Sequence, residues 1–153
     1  MSRSSSNNYR VLIADDNPEQ REMLAHFLSD VPNVVFDYVT NGEEVIEAYS
    51  HALREGSPYS MLVLDVVMPL MSGLRAAEII RNGFSDKQTP IRFLTADINL
   101  TNLTQTRASM ADGEVWIKGD AEHSPHLTGN TDAWDKLDAT DLRERIVEEL
   151  LKQ

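Results

Sequence analysis

At 153 residues the chain is long enough to enclose one hydrophobic core and too short for two ordinary domains. Hydrophobic residues at 41% and charged residues at 25% exclude a disordered composition, and apolar runs such as 61–64 are strand-sized, far below the roughly 20 residues of a membrane span. A formal charge of −11 excludes direct nucleic-acid binding, which needs clustered Lys and Arg, and the lack of cysteine excludes disulfides, thiolate metal sites and thiol catalysis. Residues 1–8 are polar and Ser-rich with no apolar h-region, so they are expected to form a loose tail rather than a signal peptide, ahead of one domain over 9–153. A cytoplasmic location is expected.

From Tyr9 onward, strand-sized apolar runs alternate with helix-period segments, the pattern of β-α units around a parallel sheet. The first strand spans 10–14 and stops at Asp15, Asp16 and Asn17. Asn17 is placed to cap a helix that begins at Pro18 and runs to about 30, with Met23, Leu24, Phe27, Leu28 and Val31 as its buried stripe. A second strand, 34–39, leads through Thr40-Asn41-Gly42 into a helix over 43–54 that carries Val45, Ile46, Tyr49 and Leu53 on one side. The third strand, 61–65, is apolar until its terminal Asp65, as expected of a central strand covered on both faces.

After Pro69 and Gly73 a third helix is expected over 74–82, then a fourth strand over 91–95. Residues 99–110 keep approximate helical spacing through Leu100, Leu103, Arg107 and Met110, but their Thr and Asn content makes a poor helix interior. A fifth strand covers 115–118. Residues 119–136 have turn-like composition and read as a long loop, and a final helix over 139–152 has Leu142, Ile146, Leu150 and Leu151 at core spacing, capped by Asp138 or Thr140.

Ligands of open parallel sheets bind beyond the carboxyl ends of the strands. Asp15 and Asp16 close strand one, Asp65 closes strand three, and Thr95 and Lys118 close strands four and five. Taken singly, each residue is an ordinary turn or cap. Three carboxylates meeting in one cleft would repel one another unless a hard cation joined them, and an all-oxygen set favours Mg²⁺. Lys118 would bring a further positive charge.

This combination resembles the response-regulator receiver domain. That family has an acidic pair after its first strand, an Asp followed by Met-Pro and Gly after its third, Thr or Ser after its fourth and Lys after its fifth. Here these positions hold Asp15-Asp16, Asp65 with Met68-Pro69 and Gly73, Thr95 followed by Ala96, and Lys118. The resemblance implies a flavodoxin-like doubly wound α/β fold, with a five-stranded parallel sheet in the order 2-1-3-4-5 and helices on both faces. It implies transfer of a phosphoryl group to Asp65 from a phosphohistidine on a sensor histidine kinase or histidine phosphotransfer protein. Asp16 would contact Mg²⁺ directly, Asp15 mainly through water and Val67 through its backbone carbonyl. Thr95, the Ala96 amide and Lys118 would hold the phosphoryl group, and an unidentified downstream protein would receive the signal.

The chain departs from the family pattern around strand five. Gly119 replaces the usual Pro after the Lys, and Val115 replaces the aromatic switch residue, with Trp116 one position later and therefore on the opposite strand face. The partner surface is accordingly expected around Val115, Trp116 and Gly119. In the loop, Trp134 is a candidate anchor, while His123 and His126 beside Asp120 and Glu122 read as a solvated acidic segment rather than a metal cluster. A second copy of the chain is a further candidate partner. The rival expectation is a receiver-fold binding module that does not cycle phosphate. A conventional enzyme is not expected: an aspartyl-nucleophile phosphatase needs a second acid two residues after the nucleophile, where Val67 stands, and there is no Gly-rich phosphate loop or Ser-His-Asp order.

Overall fold

The computed structural model describes residues 9–95, 113–118, 136–137 and 139–153, with side chains described for 9–94 and 142–153. In chain order these are β1 (Tyr9–Ala14), α1 (Pro18–Leu28), β2 (Val34–Val39), α2 (Gly42–Arg54), β3 (Met61–Asp65), α3 (Gly73–Glu78), β4 (Ile91–Thr95), β5 (Gly113–Lys118), β6 (Lys136–Leu137) and α4 (Ala139–Leu151). The strands form one sheet in the order β2-β1-β3-β4-β5-β6, and every neighbouring pair is parallel. The expected 2-1-3-4-5 order is therefore present. The addition is β6, which lies within the stretch read as loop and pairs Lys136 with Ile117 and Leu137 with Lys118.

Strand pleating divides the core in two, because successive side chains point to opposite faces. On one face Leu12, Ala14, Leu62, Leu64 and Phe93 pack with Val45 and Tyr49 of α2 and Leu74 and Ala77 of α3. On the other, Val11, Ile13, Met61, Val63 and Leu94 pack with Leu24 and Leu28 of α1 and Leu142, Ile146 and Leu150 of α4. All five residues of β3 are buried, as a central strand covered twice requires. Among the described residues no helix is long and apolar enough to cross a membrane.

The helical stripes are narrower than the sequence suggests. Leu24, Leu28 and Val31 are buried, but Met23 and Phe27 are exposed, and so are Leu53 and Leu151. A helix lying on a sheet buries one face; residues at i, i+4 and i+7 fill it, and their immediate neighbours turn outward. In α2 that inner row is Val45, Tyr49 and Ala52. Asn17 caps α1 as expected, its side chain accepting from the Glu19 and Gln20 amides with Pro18 in the first turn. The third helix starts at Gly73 and changes after Glu78 into a π-helical turn over Ile79–Gly83. This wider turn holds Arg81, almost wholly buried, where it donates to the Asp86 carbonyl at 2.9 Å and the Thr89 carbonyl at 2.7 Å. The expected helix over 99–110, the tail 1–8 and the loop residues Trp134, His123 and His126 lie outside the described residues.

Two polar networks close the end of the sheet opposite the strand carboxyl ends. The Asp37 carboxylate accepts from Arg10 Nε at 3.0 Å and Tyr59 Oη at 2.7 Å, and the Arg10 guanidinium lies over the Tyr59 ring. The Asp86 carboxylate accepts from Tyr49 Oη and Thr89 Oγ1, both at 2.6 Å, and from the Gln88 and Thr89 amides. Partial burial alone would raise the Asp86 pKa; the hydrogen bonds from Thr89, Tyr49 and Gln88 outweigh it and bring the group down from 3.8 to about 2.

A depressed carboxylate stabilises the fold fully above its unfolded pKa and loses that contribution as pH falls through the folded value. Denaturant midpoints measured against pH should therefore fall for the native chain between about pH 4 and pH 2, with a shallower fall in Asp86→Asn. Parallel curves for the two proteins would refute the assignment.

Candidate functional site

Strand order reverses between β1 and β3, since the chain leaves β1 for β2 on one side and returns to β3 on the other. The carboxyl ends of those two strands therefore face a shared crevice. Asp15 follows β1 directly. Its amide donates to the Val39 carbonyl at 3.1 Å, its Oδ1 accepts the Asn17 amide at 3.0 Å, and its carbonyl accepts Arg21 Nη1 at 2.7 Å. Asp15 is 1% exposed, whereas Asp16 is an exposed residue. Asp65, 9% exposed, ends β3.

The segment after Asp65 is held by main-chain contacts. The Val66 amide donates to Leu94 and the Gly73 amide to Val66. Gly73 approaches so closely that a Cβ there would sit 2.2 Å from the Asp65 carbonyl oxygen, which explains why the residue has no side chain. Between them Leu70 adopts φ 67 in a tight turn closed by the Met71 amide on the Pro69 carbonyl at 2.7 Å. Gly42, at the start of α2, donates to the Met71 carbonyl at 2.8 Å, and a Cβ at Gly42 would meet that same oxygen at 2.5 Å. Two glycines thus let α2 and α3 close on the loop from either side. Val66 and Met68 point inward, while Val67 and Leu70 are 60% and 77% exposed at the rim.

Asp15, Asp16 and Asp65 each place a carboxylate oxygen within 4.8 Å of the others. A donor set made only of carboxylate oxygens fits a small hard cation such as Mg²⁺. The backbone puts Thr95 at the end of β4, next to β3 and paired with Ile117, and Lys118 at the end of β5, one strand further out, so both strands finish on the crevice side of the sheet. Val115 and Trp116 take consecutive positions of β5 opposite Phe93 and Leu94. Ala96 and Gly119 lie outside the described residues.

Sequence reasoning missed Arg21 and Gly42. Arg21 stands four positions after the cap Asn17, a spacing that places it over the first turn of α1, and this was the only available signal. Close to it, Glu44 accepts from the Thr40 hydroxyl and from the Thr40 amide at 2.7 Å. These bonds hold the Glu44 carboxyl below its ordinary range against a smaller effect of burial, with the Arg21 charge adding in the same direction.

The family profile described as Response regulator receiver domain matches residues 11–115. The chain is 33% identical over 105 residues to the Transcriptional regulatory protein SrrA of Staphylococcus aureus, covering 69% of this chain and 40% of that protein. It is 29% identical over 86 residues to the Signal transduction histidine-protein kinase BarA of Escherichia coli, covering 56% of this chain and 9% of the kinase. It therefore spans less than half the length of either relative. Among solved structures it is similar to the Thermotoga maritima response regulator TrrA in complex with Mg²⁺-BeF, at 27% identity and TM-score 0.62 over 92% of this chain and 98% of that one. The phosphorylated cyanobacterial phytochrome response regulator RcpA shares the fold at 17% identity and TM-score 0.69, covering 94% of each chain.

Because the Gly73 contact is with backbone, it cannot be relieved by a rotamer change. Gly73→Ala should cost about 1–3 kcal/mol, lowering Tm by several degrees in a thermal melt and displacing Asp65. An unchanged Tm would show that the loop yields freely.

Proposed function

The chain belongs to the Response regulator receiver domain family, and we propose that within it Asp65 accepts a phosphoryl group from a phosphohistidine donor. The observation that carries this reading is the meeting of Asp15, Asp16 and Asp65 at the strand reversal, beside strands that end on Thr95 and Lys118. In the transfer an Asp65 carboxylate oxygen forms a bond to phosphorus as the donor's P–N bond breaks, and the electron pair stays on the imidazole nitrogen. Asp15, Asp16, Asp65 and the Val67 carbonyl would hold Mg²⁺, which supplies positive charge for the phosphoryl oxygens. Lys118 adds a second cation, and the Thr95 hydroxyl and Ala96 amide donate hydrogen bonds to the acyl phosphate.

The rigidity around Asp65 suits this task. Phosphoryl transfer through a loose transition state asks the protein mainly for position and charge, and Asp65 is set at the end of a fully buried strand. The donor is a sensor histidine kinase or a histidine phosphotransfer protein. Output is by protein contact, with Val115, Trp116 and Gly119 in the partner surface. A cytoplasmic location completes the reading and is supported by the absence of cysteine.

Incubation with Mg²⁺ and phosphoramidate should add one phosphoryl group to the intact protein by mass spectrometry, and Asp65→Asn should add none. Equal labelling of both proteins would overturn the reading. Mg²⁺ alone should also raise Tm, because a ligand bound only by the folded state at about a hundred times its Kd stabilises by about 2.7 kcal/mol. Asp16→Asn, at an exposed position, should fold normally but lose most of that rise; retention of the full shift would place the cation elsewhere.

A further inference from the structure

Asp15 is fixed through every polar group it has on the main chain and through its side chain. Its amide reaches back to Val39 and its Oδ1 accepts from Asn17. Its carbonyl lies beyond the last residue of β2, where no strand amide continues the ladder, and is taken up by Arg21 Nη1 at 2.7 Å. That carbonyl belongs to the peptide unit joining Asp15 to Asp16, so its direction sets the relation between the two carboxylates.

We propose that Arg21 is a positioning residue for the acidic pair, holding the Asp15–Asp16 peptide so that both carboxylates are presented to one cation. Arg21 does not ligate the cation; a guanidinium has no lone pair to offer. Its hold is charge-assisted, and the carboxylate of Glu44, itself anchored on Thr40, interacts favourably with the Arg21 charge. Arg21 also belongs to the rigid first turn of α1, its amide donating to the Asn17 carbonyl at 3.1 Å. The chain of support runs from the capped helix to the guanidinium, from there to the peptide, and so to the carboxylates.

Three physical roles make three different forecasts. If Arg21 positions the pair, Arg21→Met should weaken Mg²⁺ binding about 10-fold or more, the usual size of an outer-sphere loss. Arg21→Lys, whose ammonium can still donate to one carbonyl, should recover most of the affinity. If Arg21 only offsets the acidic charge, removing it should tighten Mg²⁺ binding, which would overturn the proposal. If it only supports the fold, Tm in EDTA should fall while Mg²⁺ affinity stays as in the native chain, which would overturn it equally. The proposal rests on the Mg²⁺ reading of the site, and isothermal titration separates the two. A native chain that binds no Mg²⁺ refutes both, whereas native binding with unchanged affinity in Arg21→Met refutes the role of Arg21 alone.

Discussion

Like-charge repulsion among Asp15, Asp16 and Asp65 is the constraint around which the remaining structure is arranged. With carboxylate oxygens within 4.8 Å of one another, like charges repel, less where water screens the exposed Asp16. A flexible cleft would relax by moving the groups apart. Here Asp15 and Asp65 are tied to elements that cannot move independently. Asp15 follows β1 and Asp65 ends β3, adjacent parallel strands that are buried over Val11–Ala14 and throughout β3, so separating them would break the sheet register and expose the core.

The ties are mostly main-chain ties, and that is a physical choice with consequences. Val66 and Gly73 fix the backbone on either side of the β3–α3 loop, and Gly42 and Gly73 permit approaches that any Cβ would block. The Asp15 side chain adds a tie of its own, its Oδ1 accepting the Asn17 amide. The polar networks at the far end of the sheet behave differently. Asp37 accepts from the Arg10 and Tyr59 side chains, and Asp86 from the Tyr49 and Thr89 hydroxyls and the Gln88 and Thr89 amides, so there it is side chains that hold the loops together.

Much of this was legible in the sequence because it depends on local pattern. The bounds of β2, β3 and β4 follow from apolar runs, and the Asn17 cap follows from Asn-Pro at a strand exit. The acidic triad follows from strand ends combined with the rule for parallel sheets. What escaped depends on distant partners. The π-helical turn after α3 goes with Arg81 reaching the carbonyls of Asp86 and Thr89, and no local propensity encodes that reach. Strand β6 is two residues long and exists by pairing with β5. The over-wide stripe assigned to α1 arose because hydrophobicity was read without knowing how much of the helix the sheet would cover; Met23 and Phe27 are apolar yet lie outside it.

The motif position Gly73 shows the same division at one residue. Its place after Asp65 could be read from the chain, but its reason could not, since the clash that a Cβ would make is with the carbonyl of Asp65 itself. That contact also bears on Val67. With the loop clamped at Val66 by Gly73 and at Met71 by Gly42, the backbone path past residue 67 is set by its neighbours, and the Val67 side chain extends into solvent. The course of its main chain is therefore independent of its side chain, and the side chain is free to set the chemistry of the rim. An isopropyl group there offers no hydrogen bond to water, so with Leu70 it makes an apolar stretch of rim above the buried Asp15 and Asp65.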